Sequence, residues 1–152
     1  MNKPDGKQLL QDYIHQHVPL VVAAGIQVDR FDEQGLVLSA PLEKNFNDKG
    51  TAFGGSLYNL CVVSGWGMSW LLSQELGLEG DIVVAKGEIE YLRPLRGRLE
   101  ATVIRPDQAA LEHYKASYAR RGKAVLHQTV NIPDEQGKAC VSFVGKYALV
   151  AG

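Results

Sequence analysis

The stretch Asn47-Asp48-Lys49-Gly50-Thr51-Ala52-Phe53-Gly54-Gly55-Ser56-Leu57-Tyr58-Asn59-Leu60-Cys61-Val62-Val63 decides how this chain is read. A polar loop ends in two glycines, and a largely apolar run continues from there through Trp66 and Trp70 to Leu76. Drawn as a helix, the run carries apolar residues on nearly every side. Such a helix, outside a membrane, belongs in a protein interior. Asn59, Ser64, Gly65, Gly67 and Ser69 interrupt the run too often for a membrane span. We therefore expect one central buried helix with a glycine-rich entrance, and the entrance is the first candidate for a functional site.

Before this stretch, Lys7 to Val18 has Leu10, Tyr13, Ile14 and Val18 on one face of a helix. Pro19 disturbs it, and a short second piece, Leu20 to Ala24, ends at Gly25. Gly25 to Phe31 and Leu36 to Ala40 read as two strands of a hairpin, turned by Asp32-Glu33-Gln34-Gly35 and closed by Pro41.

After the central helix, Gly77 is placed to end it. The period then changes to two. Along Ile82 to Leu92, Ala85, Gly87, Ile89 and Tyr91 share one face, and Lys86, Glu88 and Glu90 share the other. Arg93 to Gly97 turns the chain into a strand at Arg98 to Arg105. Ala110, Leu111, Tyr114 and Tyr118 then recur at helical spacing, with Asp107 before them and Gly122 after. The alternation from Tyr114 to Tyr118 leaves a strand as the competing reading. Lys123 to Ile132 and Ala139 to Val150 are the last two strands. The expected fold class is α+β: an antiparallel sheet of about six strands wrapped around one long central helix. Residues 1–152 read as a single domain, with a helical segment at 1–24 and the core at 25–150.

Composition narrows the function. An apolar fraction of 45% and a charged fraction of 22% are those of an ordinary globule. A net charge of -1 argues against a nucleic-acid-gripping surface, which needs concentrated positive charge. Met1 to Lys7 lacks the apolar core of a secretion signal. Cys61 and Cys140 have no metal or redox spacing and read as buried reduced thiols of a cytoplasmic protein. His15 and His17 read as solvated. No metal and no cofactor are expected.

Two motifs give the chain a family likeness. Asn47-Asp48-Lys49-Gly50-Thr51-Ala52-Phe53-Gly54-Gly55 is similar to the Asn-x-x-Gly-x-x-His-Gly-Gly of related thioesterases. Glu88-Ile89-Glu90-Tyr91-Leu92-Arg93-Pro94-Leu95-Arg96-Gly97 resembles their strand-and-turn Tyr-Leu-Arg-Pro. From about Gly25 to Leu149 the chain resembles the hotdog-fold acyl-CoA thioesterases, and within them the thioesterase domain of the YiiD C-terminal type, which in some bacterial proteins follows an acetyltransferase domain. The resemblance implies hydrolysis of an acyl-CoA or acyl-carrier-protein thioester, with coenzyme A present only as part of the substrate. It also implies a homodimer with its sites at the subunit interface, and leaves open a tetramer made of two such dimers.

The chemistry suits the entrance. Thioester hydrolysis passes through a tetrahedral oxyanion. The first N–H groups of a helix are unpaired, and the helix dipole adds positive potential there. Gly54 and Gly55 let a carbonyl approach these donors closely, or else serve only tight packing of the turn. Asn47 matches the family's asparagine, with a turn residue as the alternative. Asn59 orients a water in one reading and is a backbone-satisfied amide in the other. Asp48, Phe53, Ser56, Arg93 and Arg96 complete the expected substrate contacts, the arginines facing coenzyme A phosphates.

The departures from the pattern bear on the base. Phe53 stands where the motif has histidine. Val62 stands where related enzymes carry a helix acid, and Val84 lies near the position of a strand hydroxyl. None of these can take a proton from water. Asp48, Glu88, Glu90, His113 and His127 remain as possible bases. The alternatives to a hydrolase are a non-catalytic acyl-thioester binding protein and, less well matched, a hotdog dehydratase or hydratase.

Overall fold

The computed structural model describes residues 5–152. The polar start at Met1 to Lys7 therefore lies partly outside the described residues.

Helix α1, Gly6–His17, begins at Asp5, whose carboxylate accepts from the Lys7 N–H at 3.1 Å. It buries Leu10 and Ile14. Val18 breaks the helix, and Pro19 opens α2, Pro19–Ala24, where its fixed φ and missing N–H are harmless. Strands β1, Gln27–Phe31, and β2, Gly35–Ala40, form the expected hairpin, and Asp32 accepts from the Gln34 and Gly35 N–H groups to hold its turn.

The central helix, α3, spans Gly54–Glu75. It ends where Gly77 adopts the left-handed region at φ 69°. The Gly77 N–H donates to the Gln74 carbonyl and the Leu78 N–H to the Ser73 carbonyl, the paired bonds of a Schellman stop. Strands β3, Asp81–Tyr91, and β4, Leu99–Ile104, follow. Helix α4, Gln108–Arg121, resolves the competing strand reading in favour of the helical one: Asp107 accepts from the Ala110 N–H at 2.8 Å, and Leu111 and Tyr114 are buried. Strands β5, Lys123–Pro133, and β6, Ala139–Val150, complete the chain.

All six strands form one antiparallel sheet in the order β1-β2-β4-β5-β6-β3. Helix α3 lies against it, touching β2, β4, β5, β6 and β3. Leu57, Leu60, Met68, Leu71 and Leu72 are buried in that contact. Each such side chain contributes roughly 1.5–3 kcal/mol by leaving water. The sheet admits the helix closely because aromatic rings dock onto glycines. Tyr147 lies against Gly65 and Gly145, and Tyr58 against Gly87, so that a methyl group at any of these positions would overlap a ring. The Tyr147 hydroxyl also donates to the Val62 carbonyl at 2.8 Å.

One expected face differs. The pairing of β3 with β6 skips Ala85, which forms a bulge between Val84 and Lys86. A bulge inserts one residue and breaks the two-residue alternation. Ala85 is consequently exposed, and so is Tyr91, whereas Gly87 and Ile89 keep the inward phase. Strand β3 is an edge strand, and Val83, Val84, Tyr91 and Leu92 at or just beyond its ends and middle are exposed. No helix among the described residues is long and apolar enough to cross a membrane.

Candidate active site

The loop before α3 is shaped by asparagine side chains. Asn47 closes residues 47–51 into a turn. Its carbonyl oxygen accepts from the Lys49 N–H at 2.8 Å and the Thr51 N–H at 3.1 Å, and its amide donates to Thr51 Oγ1 at 2.9 Å and to the Ala52 carbonyl. Asn45, buried, donates to the Ala24 and Pro41 carbonyls at 2.9 and 2.8 Å. Its own carbonyl accepts from the Phe53 N–H at 2.7 Å. The Ala52 N–H donates to the Leu95 carbonyl at 2.9 Å, joining the loop to the 93–97 turn. The chain thus reaches Gly54 along a path fixed by hydrogen bonds on both sides.

The helix start itself is left open. Phe53 occupies the N-cap position with φ -69° and ψ 134° and supplies no side-chain acceptor. The first internal bond runs from the Leu57 N–H to the Phe53 carbonyl at 3.0 Å. The N–H groups of Gly54, Gly55 and Ser56 have no acceptor among the described residues. They carry the positive end of a 22-residue helix.

A cleft of about 300 Å³ lies against this end. Phe53, Gly55, Ser56 and Asn59 line one side, α2 contributes Leu20, Ala23 and Ala24, and Lys44 and Asn45 close it. Four residues expected from the sequence are therefore brought together, with Gly54 heading the same helix end and Asn47 in the loop before it. Asp48, Arg93 and Arg96 lie apart. Asp48 is exposed and paired with Lys49 at 3.2 Å. Arg96 lines a separate cleft with Asp134 and Glu135, whose carboxylates disfavour a phosphate. Arg93 is exposed beside Cys140.

The possible bases are also elsewhere. Glu88 is ion-paired to Lys86 at 2.9 Å on the outer sheet face, beside His127. His113 lies near Ser117 and Arg121 on α4. Among the described residues Lys44 is the sole ionisable side chain lining the cleft. Val62 is half-buried on α3, as the sequence placed it, and Val84 is exposed on β3. Cys61, unpaired and buried on α3 beside Val62 in sequence, is no substitute nucleophile, since burial pushes its thiol up to about 12.

Two groups near the cleft escape a reading of the sequence. Asn45 sits in a stretch of three loop residues with nothing to separate it from Asn47. Tyr91 is the tyrosine of the strand-and-turn motif. Its hydroxyl donates to the Gly54 carbonyl at 2.9 Å, a contact across 37 residues that no local pattern announces.

A long helix wrapped by one antiparallel sheet, entered through an uncapped Gly-Gly start, defines a hotdog-fold thioesterase. The comparisons bear this out. The chain belongs to the YiiD C-terminal thioesterase family, matching the family described as "Putative thioesterase (yiiD_Cterm)" over residues 7–151. It is similar to a protein of unknown function from Chlorobaculum tepidum TLS, at 34% identity over 96% of this chain and 94% of that one, with a TM-score of 0.93. It is similar also to a thioesterase, described as putative, from Shewanella oneidensis, at 35% identity over 95% of this chain and 97% of that one, with a TM-score of 0.85. The E. coli PaaI protein from the phenylacetic acid degradation operon shares the fold, at 18% identity and a TM-score of 0.69 over 97% of this chain and 95% of that one. The protein is thus a thioester hydrolase by family and fold.

Proposed function

We propose that the protein hydrolyses an acyl-CoA or acyl-carrier-protein thioester at the entrance of α3, with the carbonyl oxygen received by the Gly54 and Gly55 N–H groups. The observation that carries this is the uncapped helix start: free donors, a strong dipole and no competing side chain, facing a cleft with an apolar wall from α2. Donors aimed in advance at a developing oxyanion typically contribute on the order of a hundredfold or more in rate each. Asn59 and Ser56 line the same cleft and orient the attacking water. Asn47 acts through the loop it closes, since its own donors and acceptor are already engaged. Coenzyme A enters as part of the substrate and no further cofactor is needed.

The assembly proposed is a homodimer. Strand β3 is an 11-residue edge with exposed Val83 and Val84, and an unpaired edge of that length is a template for another strand. A second copy pairing along β3 covers it and places a partner surface beside each helix entrance. A sedimentation mass equal to one chain would count against this.

A second reading has its own observation. No carboxylate or imidazole of the described residues lines the cleft, so a protein that binds a thioester without cleaving it fits the same donors. One experiment separates the two: purified protein with a panel of short, long and aromatic acyl-CoAs, following free thiol. Hydrolysis of at least one thioester well above background is expected. Measurable binding without thiol release from any of them would overturn the hydrolase in favour of the binding protein.

A further inference from the structure

Tyr91 ends β3, where it pairs with Val141 of β6, and the β3–β6 ladder holds the strand in place. Its ring lies 3.5 Å from where a methyl group on Gly54 would stand, so the ring rests against the first residue of α3. Its hydroxyl donates to the Gly54 carbonyl at 2.9 Å. That carbonyl belongs to the same planar peptide unit as the Gly55 N–H. Whatever fixes the oxygen fixes the direction of the N–H on the other side of the plane. Pulling electron density toward the oxygen also makes the N–H a stronger donor, because linked hydrogen bonds polarise one another by about 10–30%.

We propose that Tyr91 is a positioning residue: through the Gly54 carbonyl it aims and strengthens the Gly55 N–H that receives the thioester oxygen. This rests on the reading of the α3 entrance given above. A carbonyl can only accept, so the phenol must stay protonated to do this. Although the side chain is about half exposed, partial desolvation, with smaller effects from Cys61 and Tyr58, holds its proton more firmly than in a free tyrosine, and the donor persists through neutral and mildly alkaline pH. The geometry also separates two ways of holding a helix start. Asp5 and Asp107 hold α1 and α4 by consuming N–H donors, whereas Tyr91 holds α3 by its carbonyl side and leaves the donors free.

Tyr91→Phe tests this, since it keeps the ring and removes only the O–H. In the ligand-free protein carrying isotope-labelled glycine, the Gly55 amide resonance is expected to move distinctly, with glycines remote from the entrance, such as Gly122 and Gly137, unmoved. In steady-state hydrolysis kcat is expected to fall roughly three- to tenfold with KM little changed, well short of the loss of a whole oxyanion donor. An unmoved Gly55 amide in a folded Tyr91→Phe protein overturns the proposal, as does an unchanged kcat in an active one. If the wild-type protein cleaves no thioester, the hydrolase reading falls, and the Gly55 resonance still decides whether Tyr91 sets that donor.

Discussion

Helices α1 and α4 begin alike, and α3 begins differently. At α1 and α4 an aspartate sits at the N-cap and takes a backbone N–H at 3.1 and 2.8 Å. At α3 the N-cap is Phe53, more than half exposed, and the next three N–H groups are left over. Capping by Asp stabilises a helix by about 1 kcal/mol relative to an apolar residue. The longest helix of the protein forgoes that term at the end that faces a cleft. The difference teaches where the chain keeps hydrogen-bonding capacity for something other than itself, and it does so without reference to any ionisable side chain.

The strongest way to break the contrast is to make α3 begin as α1 and α4 do. Phe53→Asp places an acceptor over the Gly55 and Ser56 N–H groups and a negative charge where the oxyanion should form. Thioester turnover is expected to fall by about a hundredfold or more, while thermal stability holds or rises. Retained turnover in this variant would remove the helix start from the mechanism.

A smaller effect is expected beside the donors. Asn59→Ala and Asn47→Ala should each lower the rate roughly tenfold, because misplacing water or loop by a fraction of an ångström is enough. They should differ in stability. Asn47→Ala leaves the Lys49 and Thr51 N–H groups without their acceptor and should cost about 1–3 kcal/mol in urea titration, whereas Asn59→Ala should leave the midpoint nearly unchanged. Wild-type rates in both variants would refute the placement of the site.

The smallest expected effect sharpens the comparison from the other side. Asp107→Ala removes the cap of α4 and should lower stability by about 1 kcal/mol with the rate unchanged. A loss of rate there would mean that caps in this protein act on turnover through general stability.

Much of this contrast is legible in the sequence. Asp107 announces a capped helix, and Phe53-Gly54-Gly55 announces an uncapped one, because cap chemistry is local. The element order is legible for the same reason, since Gly77, Gly122 and the Asp-rich turns act within a few residues. The inward set of β3 is legible only in part. The bulge at Ala85 is decided by how β3 meets β6, more than 50 residues away in sequence, and it shifts the phase of the residues around it. Family matching points to Asn47, and the helix face shared with Val62 points to Ser56 and Asn59, but neither gives the division of labour among them. Asn47 spends its amide within its own loop, and Asn45, two residues earlier, does the tethering to α2. Tyr91 is visible as part of a motif and invisible as a partner of Gly54, because that bond depends on where two distant elements end. The base is illegible for a chemical reason: the positions that would carry it hold Phe53 and Val62, and among the described residues no acid lines the cleft to replace them.

The glycines under the aromatic rings have a consequence for how the protein comes to be folded. Helix α3 contains Gly54, Gly55, Gly65 and Gly67, together with Val62, Val63 and four serines. A glycine inside a helix is unfavourable by roughly 1 kcal/mol relative to alanine, so this segment has little tendency to coil by itself. Gly65 is required because Tyr147, from the last strand, occupies the space beside it. The residue that closes around the helix thus arrives some 80 positions after it. Coiling of α3 and closure of the sheet therefore depend on one another, since the helix relies on tertiary packing for most of its stability.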